Sequence, residues 1–270
     1  MKPTLETAST DLVIRQRDAR GVITLTLNQP ENYNALSTHM IAALQQALDA
    51  VAKDDGARAV VLAAQGKAFC PGHNLKDMAA HADEAYYQQL FKQCSKMMLS
   101  IAKLPVPVIA RVHGIATAAG CQLAAQCDLA VCSPLARFAT SGIHYGLFCS
   151  TPSVPLTRTI LHKHAMQMLI TGEFVDASTA LQFGLVNAVA TDESESALDA
   201  EVEKLVSQIV NKPRLALQMG KELVLRQQGL NLEAAYALAG QTMAANMMDA
   251  SAKEGVQAFV EKRIPGWKTV

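Results

Sequence analysis

Two short stretches of this chain could present backbone amide groups to a single acceptor atom. Residues 69–74 and 114–122 each contain glycine, follow an apolar β-like run and lead into a helix. The first amides of a helix have no intrahelical acceptor and carry a partial positive charge. Two such helix ends aimed at one oxygen would form an oxyanion hole, which stabilises the negative charge that a carbonyl oxygen gains during a reaction.

The composition excludes several classes of partner. The chain has 270 residues, 24 basic and 24 acidic side chains, and 50% hydrophobic residues. Balanced charge gives no net field to attract nucleic acid or an anionic membrane, although an anionic cofactor could still bind locally. The first residues lack the apolar core of a signal peptide, and prolines and Arg111 interrupt the most apolar segment, residues 104–112. We therefore expect no nucleic-acid partner and no membrane insertion.

The cysteines favour a reducing compartment and no metal site. The chain has six of them, and they form neither C-x-x-C pairs nor metal-ligand spacings. Cys121, Cys127 and Cys132 lie among apolar residues. We predict reduced thiols and a cytoplasmic location. The run from His162 to His164 has no carboxylate or cysteine at ligand spacing, so we interpret it as an exposed loop.

The hydrophobic pattern predicts an α/β fold. Residues 12–17 and 22–27 form a predicted hairpin, and Ser37 is predicted to cap an amphipathic helix. Residues 59–63 and 106–112 are apolar runs next to glycine or proline, which is typical of strands buried on both faces. Strands that alternate with helices indicate a parallel sheet whose loops at the strand ends carry function.

The last third of the chain is predicted to be helical. Gly184, Pro213 and Gly229 separate periodic segments, and the tail has more apolar residues than one helix face requires. Two explanations stay open for these residues, of which Met243 and Phe259 are examples. They could pack against neighbouring subunits, or they could be buried within the same chain.

Several motifs in the same order along the chain resemble the enoyl-CoA hydratase/isomerase, or crotonase, superfamily. They are residues 27–37, 67–76, 114–122, 171–173 and 259–263. The resemblance implies a spiral of ββα units with an acyl-CoA site over residues 1–200. It also implies a helical region over residues 201–270 that builds homotrimers, often paired into hexamers. The ligand would be a coenzyme A thioester, and no covalently bound cofactor is expected.

The resemblance also implies site residues. The backbone amides of His73 and Ala119 would donate to the thioester oxygen. Because alanine avoids positive φ, we expect an ordinary helical entry at Ala118 and Ala119. Glu31 departs from the family pattern, in which a basic residue is common. The implied CoA contacts are Asn32, Ala35, Pro71, His73, Asn74, Leu75 and Lys76, with Phe259 and Lys262 reaching from a neighbouring subunit.

The implied catalytic positions lack acids. Hydratases of this family use two glutamates, and the matching positions here are Gln122 and Gly142. Neither side chain takes up a proton in the relevant pH range, so efficient enoyl-CoA hydration is not expected. A subgroup of the family shares both residues and a run similar to residues 146–152. His144 is the best replacement base on chemical grounds, although a structural or surface role is the alternative.

Three functions remain open at this stage. The leading hypothesis is a protein that binds acyl-CoA and stabilises a thioester enolate, with decarboxylation as an attractive reaction because it forms the enolate without a base. The second is a non-catalytic acyl-CoA binder or regulator. The third is a hydrolase with Ser141 or Ser150 as nucleophile, for which no Ser/His/Asp arrangement is visible.

Overall fold

The computed structural model describes residues 11–268, which form ten β-strands and eleven α-helices. The strands are β1 (Val13–Arg17), β2 (Val22–Leu27), β3 (Ala59–Ala64), β4 (Ala68–Cys70), β5 (Val108–Val112), β6 (Ile115–Thr117), β7 (Leu129–Cys132), β8 (Arg137–Ala139), β9 (Val175–Asp176) and β10 (Ala188–Val189). The helices are α1 (Thr38–Ala52), α2 (Leu75–Ala80), α3 (Glu84–Lys103), α4 (Ala119–Gln126), α5 (Ser150–Thr159), α6 (His162–Thr171), α7 (Ala177–Phe183), α8 (Glu195–Val210), α9 (Arg214–Gln227), α10 (Leu232–Met247) and α11 (Ala250–Val260).

The strands form two sheets that the chain visits alternately. The larger sheet has the order β1-β2-β3-β5-β7-β10, and the smaller one has the order β4-β6-β8-β9. Strands β3, β5 and β7 belong to the larger sheet, and each is followed directly by a strand of the smaller sheet. Pairing is parallel except for β1 with β2 and β8 with β9. This alternation is the spiral of ββα units expected from the resemblance, and it confirms the α/β prediction.

Helix α1 and strand β3 form where the hydrophobic pattern predicts them, because of a side-chain cap and burial on both faces, respectively. The Ser37 side chain accepts a hydrogen bond from the Met40 amide and so caps α1, whose buried residues lie on one face. Every residue of β3 is buried, as expected for a central strand covered on both faces. Helix α8 packs Leu198, Val202 and Val206 against the outer face of the larger sheet. Residue 200, our predicted boundary between the core and the C-terminal region, falls within this helix.

The C-terminal helices leave many apolar side chains exposed. Neither α9 nor α10 contains a buried residue, and in α11 only Ala258 is buried. Met243 and Phe259 are 71% and 84% exposed within the single chain. Across the described residues, none of the helices has both the length and the apolar character needed to cross a bilayer.

The His162–His164 run is helical, and our interpretation of it as a loop is wrong. These residues form the first turn of α6, and the His164 ring stacks on Phe183 with a centroid distance of 3.9 Å. The error has a physical cause, since a helix whose start lacks a side-chain cap gives no start signal in the sequence.

Candidate active site

A cavity of about 570 Å³ lies where the two glycine-containing stretches meet. Its wall comes from the turn before α1, the start of α2, the junction of β6 with α4, and the segment between β8 and α5. Most of the wall is apolar, with Met78, Phe91, Leu147 and Phe148 among the larger side chains. A chamber of this size and character suits an organic ligand held by a few polar groups.

The two stretches touch through Gly72. This residue has φ +101°, and a Cβ built on it would lie 2.9 Å from Ala118 Cβ and 3.1 Å from the Ala119 nitrogen. Only glycine allows both the conformation and the approach. Within residues 11–268, the amides of His73 and Ala119 donate to no acceptor, and both residues line the cavity. Two free donors therefore border one chamber.

The entry into α4 differs from our expectation. Ala118 has φ 49° and ψ −119°, so the prediction of an ordinary helical entry is wrong. Its amide donates to the Ala139 carbonyl over 3.0 Å, and its carbonyl accepts from the Gln122 amide over 3.0 Å. These two bonds hold Ala118 in a sharp turn at a cost of about 1–3 kcal/mol in backbone strain. Such strain is characteristic of functional sites.

Gly120 sets the distance between α4 and the first stretch. A Cβ on Gly120 would lie 1.9 Å from the carbonyl oxygen of Cys70 and 2.6 Å from its carbonyl carbon. The backbone of α4 thus rests directly on the end of β4. This contact fixes the Ala119 amide relative to the loop that carries His73.

The residues predicted to contact CoA are brought together as a group. Those that line the cavity are Asn32, Ala35, Pro71, His73, Asn74, Leu75 and Lys76. The Asn74 side chain caps α2 by accepting from the amides of Lys76 and Asp77. The Leu36 amide donates to the Gly72 carbonyl over 2.8 Å and ties the turn before α1 to the first stretch.

Buried Asn34, which was not among the predicted site residues, supports this wall. Its Nδ2 donates to the carbonyls of Gln65 and Ala68, and its Oδ1 accepts from the Gln29 amide. Asn34 also has φ 62°. An asparagine before a predicted helix is a signal for a turn of this kind.

Phe259 and Lys262 do not line the cavity of their own chain. Phe259 lies in the last turn of α11 and is one of its most exposed side chains, and Lys262 follows the helix with φ 55°. Their predicted role from a neighbouring subunit stays a prediction.

The three catalytic candidates occupy different surroundings. Gly142 lines the cavity, whereas Gln122 and His144 do not. Gln122 is buried in α4, and its Oε1 has no hydrogen-bond partner among the described residues. His144 is exposed, and its ring lies beside Gly172.

The space around Gly142 is already filled. A Cβ at this position would lie 2.5 Å from the Leu147 carbonyl oxygen and 2.9 Å from the sulfur of Cys149. The Leu147 amide also donates to the Gly142 carbonyl over 3.0 Å, which closes a tight turn. The position implied for the second acid therefore has no room for a side chain.

Few charges face the cavity. Among the described residues of its wall, Glu31 carries the one carboxylate and Lys76 the one permanent cation, and both are exposed. Burial lowers the pKa of His73, whose Nδ1 lies 3.3 Å from the Leu36 carbonyl oxygen. Burial raises the pKa of the Cys149 thiol. The interior is thus neutral at neutral pH.

Two hydroxyl groups lie in this neutral interior. Thr117 Oγ1 and Ser141 Oγ are 2.8 Å apart, and both residues line the cavity. Thr117 precedes the strained Ala118, and Ser141 precedes Gly142. Ser141 was predicted from the sequence as a possible nucleophile, and Thr117 was not among the predicted site residues. Strands β6 and β8 bring the two together, since Thr117 pairs with Ala139.

Two partly buried histidines predict a pH dependence of stability. Burial lowers the pKa of both His73 and His113, and His113 lies 2.9 Å from the Gly66 carbonyl oxygen. Below about pH 6.5 the unfolded chain takes up protons that the folded chain resists, so the free energy of unfolding falls as the pH decreases. Denaturant unfolding between pH 7.5 and 5.5 should show this slope. His113→Gln should make it shallower, and an unchanged slope would contradict this account.

Comparison with known proteins identifies a common family for this architecture. The family model described as enoyl-CoA hydratase/isomerase matches residues 17–269. The chain is 41% identical over 258 residues to a Xenopus laevis protein named enoyl-CoA hydratase domain-containing protein 3, mitochondrial, covering 96% of this chain and 86% of the relative.

Solved structures agree with this match. A crystal structure of a Mycobacterium smegmatis enoyl-CoA hydratase is 59% identical with a TM-score of 0.92, over 96% of this chain and 99% of that one. The human enoyl-CoA hydratase domain-containing protein 3 is 38% identical with a TM-score of 0.89, over 95% of this chain and all (100%) of that one.

The names of the relatives correct one expectation. We predicted a cytoplasmic location from the reduced cysteines, but the similar proteins from frog, rat, mouse, zebrafish and human are all named mitochondrial. The prediction is therefore wrong. Its reasoning failed because free thiols indicate a reducing environment and do not specify which compartment provides it.

Proposed function

Because the chain belongs to the enoyl-CoA hydratase/isomerase family, we propose that its cavity binds an acyl-CoA with the thioester oxygen between the amides of His73 and Ala119. The observation that carries this proposal is the contact of the two stretches at Gly72, which leaves two unpaired donors on one chamber. The group of predicted CoA-contact residues on the same wall supports it.

The chemistry of this arrangement is stabilisation of an enolate. Removal of a proton or a carboxylate from the carbon next to a thioester moves negative charge onto the carbonyl oxygen. Fixed amide dipoles stabilise that charge without reorganising, and loss of one such donor typically costs about 2.7–4 kcal/mol. The sharp turn at Ala118 holds the Ala119 donor in place before substrate arrives.

Enoyl-CoA hydration is proposed to be slow. No carboxylate other than exposed Glu31 lies on the described wall, and Gln122 and Gly142 provide no acid. A positioned general acid or base is typically worth about 10²–10⁴ in rate. We therefore propose an enoyl-CoA hydratase/isomerase relative that keeps the binding site and the oxyanion hole and has lost rapid hydration.

We also propose assembly into homotrimers, singly or as dimers of trimers. Exposed apolar side chains on α10 and α11 support this assembly, since large apolar surfaces commonly mark subunit contacts. In such an assembly, Phe259 and Lys262 would reach the CoA moiety bound to a neighbouring chain.

Two measurements on the full chain test the proposed function. Isothermal titration calorimetry with butyryl-CoA should show binding. NMR should show deuterium from D₂O slowly entering the α-position of the bound thioester, with solvent water accepting the departing proton, because the described wall has no buried carboxylate. Crotonyl-CoA hydration should be at least about 10²-fold slower than in a relative with both glutamates.

Each other outcome selects a different function. Tight binding without exchange or turnover would identify a non-catalytic binder. A trapped acyl-enzyme on Ser141 or Ser150 would identify a hydrolase. Absence of any affinity for CoA thioesters would refute the proposal.

A further inference from the structure

The last motif that carries the resemblance contains two residues to which the proposed function gives no part. Its Phe259 and Lys262 are the implied CoA contacts, and Glu261 and Arg263 flank the lysine. The Arg263 guanidinium donates two hydrogen bonds to the Glu254 carboxylate, over 2.5 and 2.9 Å. It donates a third to Glu261 over 2.6 Å. Two carboxylates therefore hold and neutralise the arginine next to Lys262.

The Glu254 carboxylate also ties the end of the chain back onto α11. Its Oε1 accepts from the Gly266 amide over 2.8 Å. A Cβ on Gly255 would lie 2.7 Å from the Trp267 ring, so the indole rests directly on the helix backbone. The hydrogen bonds from Arg263 lower the pKa of Glu254 to about 2, so the pair stays charged at neutral pH. Glu254, Arg263 and Trp267 together form a C-terminal clamp around the end of the helix.

The clamp encloses a strained backbone position. Lys262 has φ 55°, in the left-handed region that glycine or asparagine ordinarily fills after a helix and that lysine rarely adopts. The Lys262 amide donates to the Phe259 carbonyl over 3.2 Å, and the Arg263 amide donates to the Ala258 carbonyl over 2.9 Å. Strained residues persist where their surroundings hold them, and they cluster at functional sites. The side chain, and not the backbone, therefore accounts for a lysine at this position.

The Lys262 side chain is available to a ligand. It is exposed, and within the part of the chain that the structure describes its ammonium takes part in no ion pair, whereas Arg263 beside it has two. Phe259, three residues earlier, is 84% exposed. An unpaired cation binds a phosphate, and an exposed aromatic ring packs against a base. The end of α11 thus offers the two kinds of contact that suit a nucleotide.

We propose that the C-terminal clamp is a positioning device, which holds Lys262 in its left-handed conformation so that the ammonium extends toward a phosphate of the CoA bound by a neighbouring chain. This inference rests on the proposed function and its homotrimers, and it makes Glu254 and Arg263 positioning residues for that binding. A lysine whose backbone is already held loses less conformational freedom when it binds a phosphate. The strain at Lys262 is the counterpart of that preorganisation.

Calorimetry of the full chain with two probes measures this contact. The probes are butyryl-CoA and butyryl-3′-dephospho-CoA, which lacks only the phosphate on the ribose. The wild type should bind butyryl-CoA about tenfold more tightly, as for one charge-assisted hydrogen bond. Lys262→Asn should bring this affinity ratio close to one, and Lys262→Arg should keep it. Lys262→Asn should nevertheless melt at or slightly above the wild-type temperature, because asparagine suits the left-handed region.

Variants of the clamp test the positioning role. Arg263→Ala and Glu254→Gln each keep Lys262 but loosen its backbone, so the ratio should fall at least about threefold while the affinity for the dephospho probe stays unchanged. Arg263→Lys keeps the charge without the paired hydrogen bonds and should give an intermediate ratio. The matched control is Arg226→Ala, which also removes one positive charge and breaks an exposed ion pair with Glu222 in α9. It should leave the ratio unchanged.

The outcomes separate this inference from the proposed function. If Lys262→Asn lowers the ratio while Arg263→Ala and Glu254→Gln both keep it, the lysine binds phosphate without help from the clamp, and the inference is refuted. A wild-type ratio near one, or a clearly lower melting temperature for Lys262→Asn, also refutes it. In each of these cases binding of butyryl-CoA leaves the proposed function standing. If no CoA thioester binds, both proposals fail.

Discussion

Replacing Gly120 with alanine is expected to lower both the stability of the protein and its affinity for acyl-CoA. The added Cβ would lie 1.9 Å from the Cys70 carbonyl oxygen, and both contacting groups belong to the backbone. Neither α4 nor β4 can yield by a side-chain rotation. Overpacking of this kind costs typically about 1–3 kcal/mol, and we expect the upper end of that range.

The loss of affinity follows from the same displacement. Moving α4 away from Cys70 carries the Ala119 amide away from the loop that holds His73. Donors that no longer converge on one oxygen stabilise it less, so binding of butyryl-CoA should weaken and α-deuterium exchange should fall by about 10²-fold or more.

The measurement pairs Gly120→Ala with Gly220→Ala. Gly220 lies in α9, and no atom would come within 4 Å of a Cβ there. Alanine stabilises a helix interior by about 0.5–1 kcal/mol relative to glycine, so this control should melt at or slightly above the wild-type temperature. Gly120→Ala should melt several degrees lower, at roughly 2–4 °C per kcal/mol. Equal melting temperatures for the two variants would contradict the account of this contact.

The second large effect concerns Gly142, the position at which the resemblance implies the second acid. Gly142→Glu is expected to destabilise the protein and to leave crotonyl-CoA hydration no faster than in the wild type. A side chain at this position meets the Leu147 carbonyl oxygen and the Cys149 sulfur before any carboxylate could reach substrate. A glutamate at position 142 is therefore not expected to reach the substrate and act as an acid.

Gly142→Ala separates crowding from charge. Alanine adds only the Cβ, so it should already lose stability and weaken butyryl-CoA binding, with glutamate losing more. Hydration by Gly142→Glu that rises about 10²-fold above wild type would show that the turn at Leu147 opens readily. That result would contradict our conclusion that the position implied for the second acid has no room for a side chain.

The sequence predicted the parts of the fold that depend on local patterns. The buried strand β3 and the cap of α1 at Ser37 follow from side-chain periodicity and from local hydrogen bonding. The residues grouped on the cavity wall were predicted from the resemblance, because motifs in the same order along the chain imply the same spiral fold and so the same neighbours in space.

The remaining features depend on contacts between distant parts of the chain. Ala118 adopts positive φ because the Ala139 carbonyl holds its amide, and helix and turn propensities contain no information about that bond. The pairing of Thr117 with Ser141 requires the neighbouring strands β6 and β8. The crowding at Gly142 arises because Leu147 folds back onto this residue. A glycine in the sequence suggests free space at its position, and the sequence contains no sign of this contact.

Infrared difference spectroscopy of a bound acyl-CoA with a ¹³C-labelled thioester carbonyl tests the central claim most directly. Two amide donors on one oxygen polarise the carbonyl, so its stretching band should move to lower frequency than in free ligand. The Gly120→Ala variant should reverse part of that shift. A band at the free-ligand frequency in a fully bound complex would show that the amides of His73 and Ala119 do not hold the thioester oxygen.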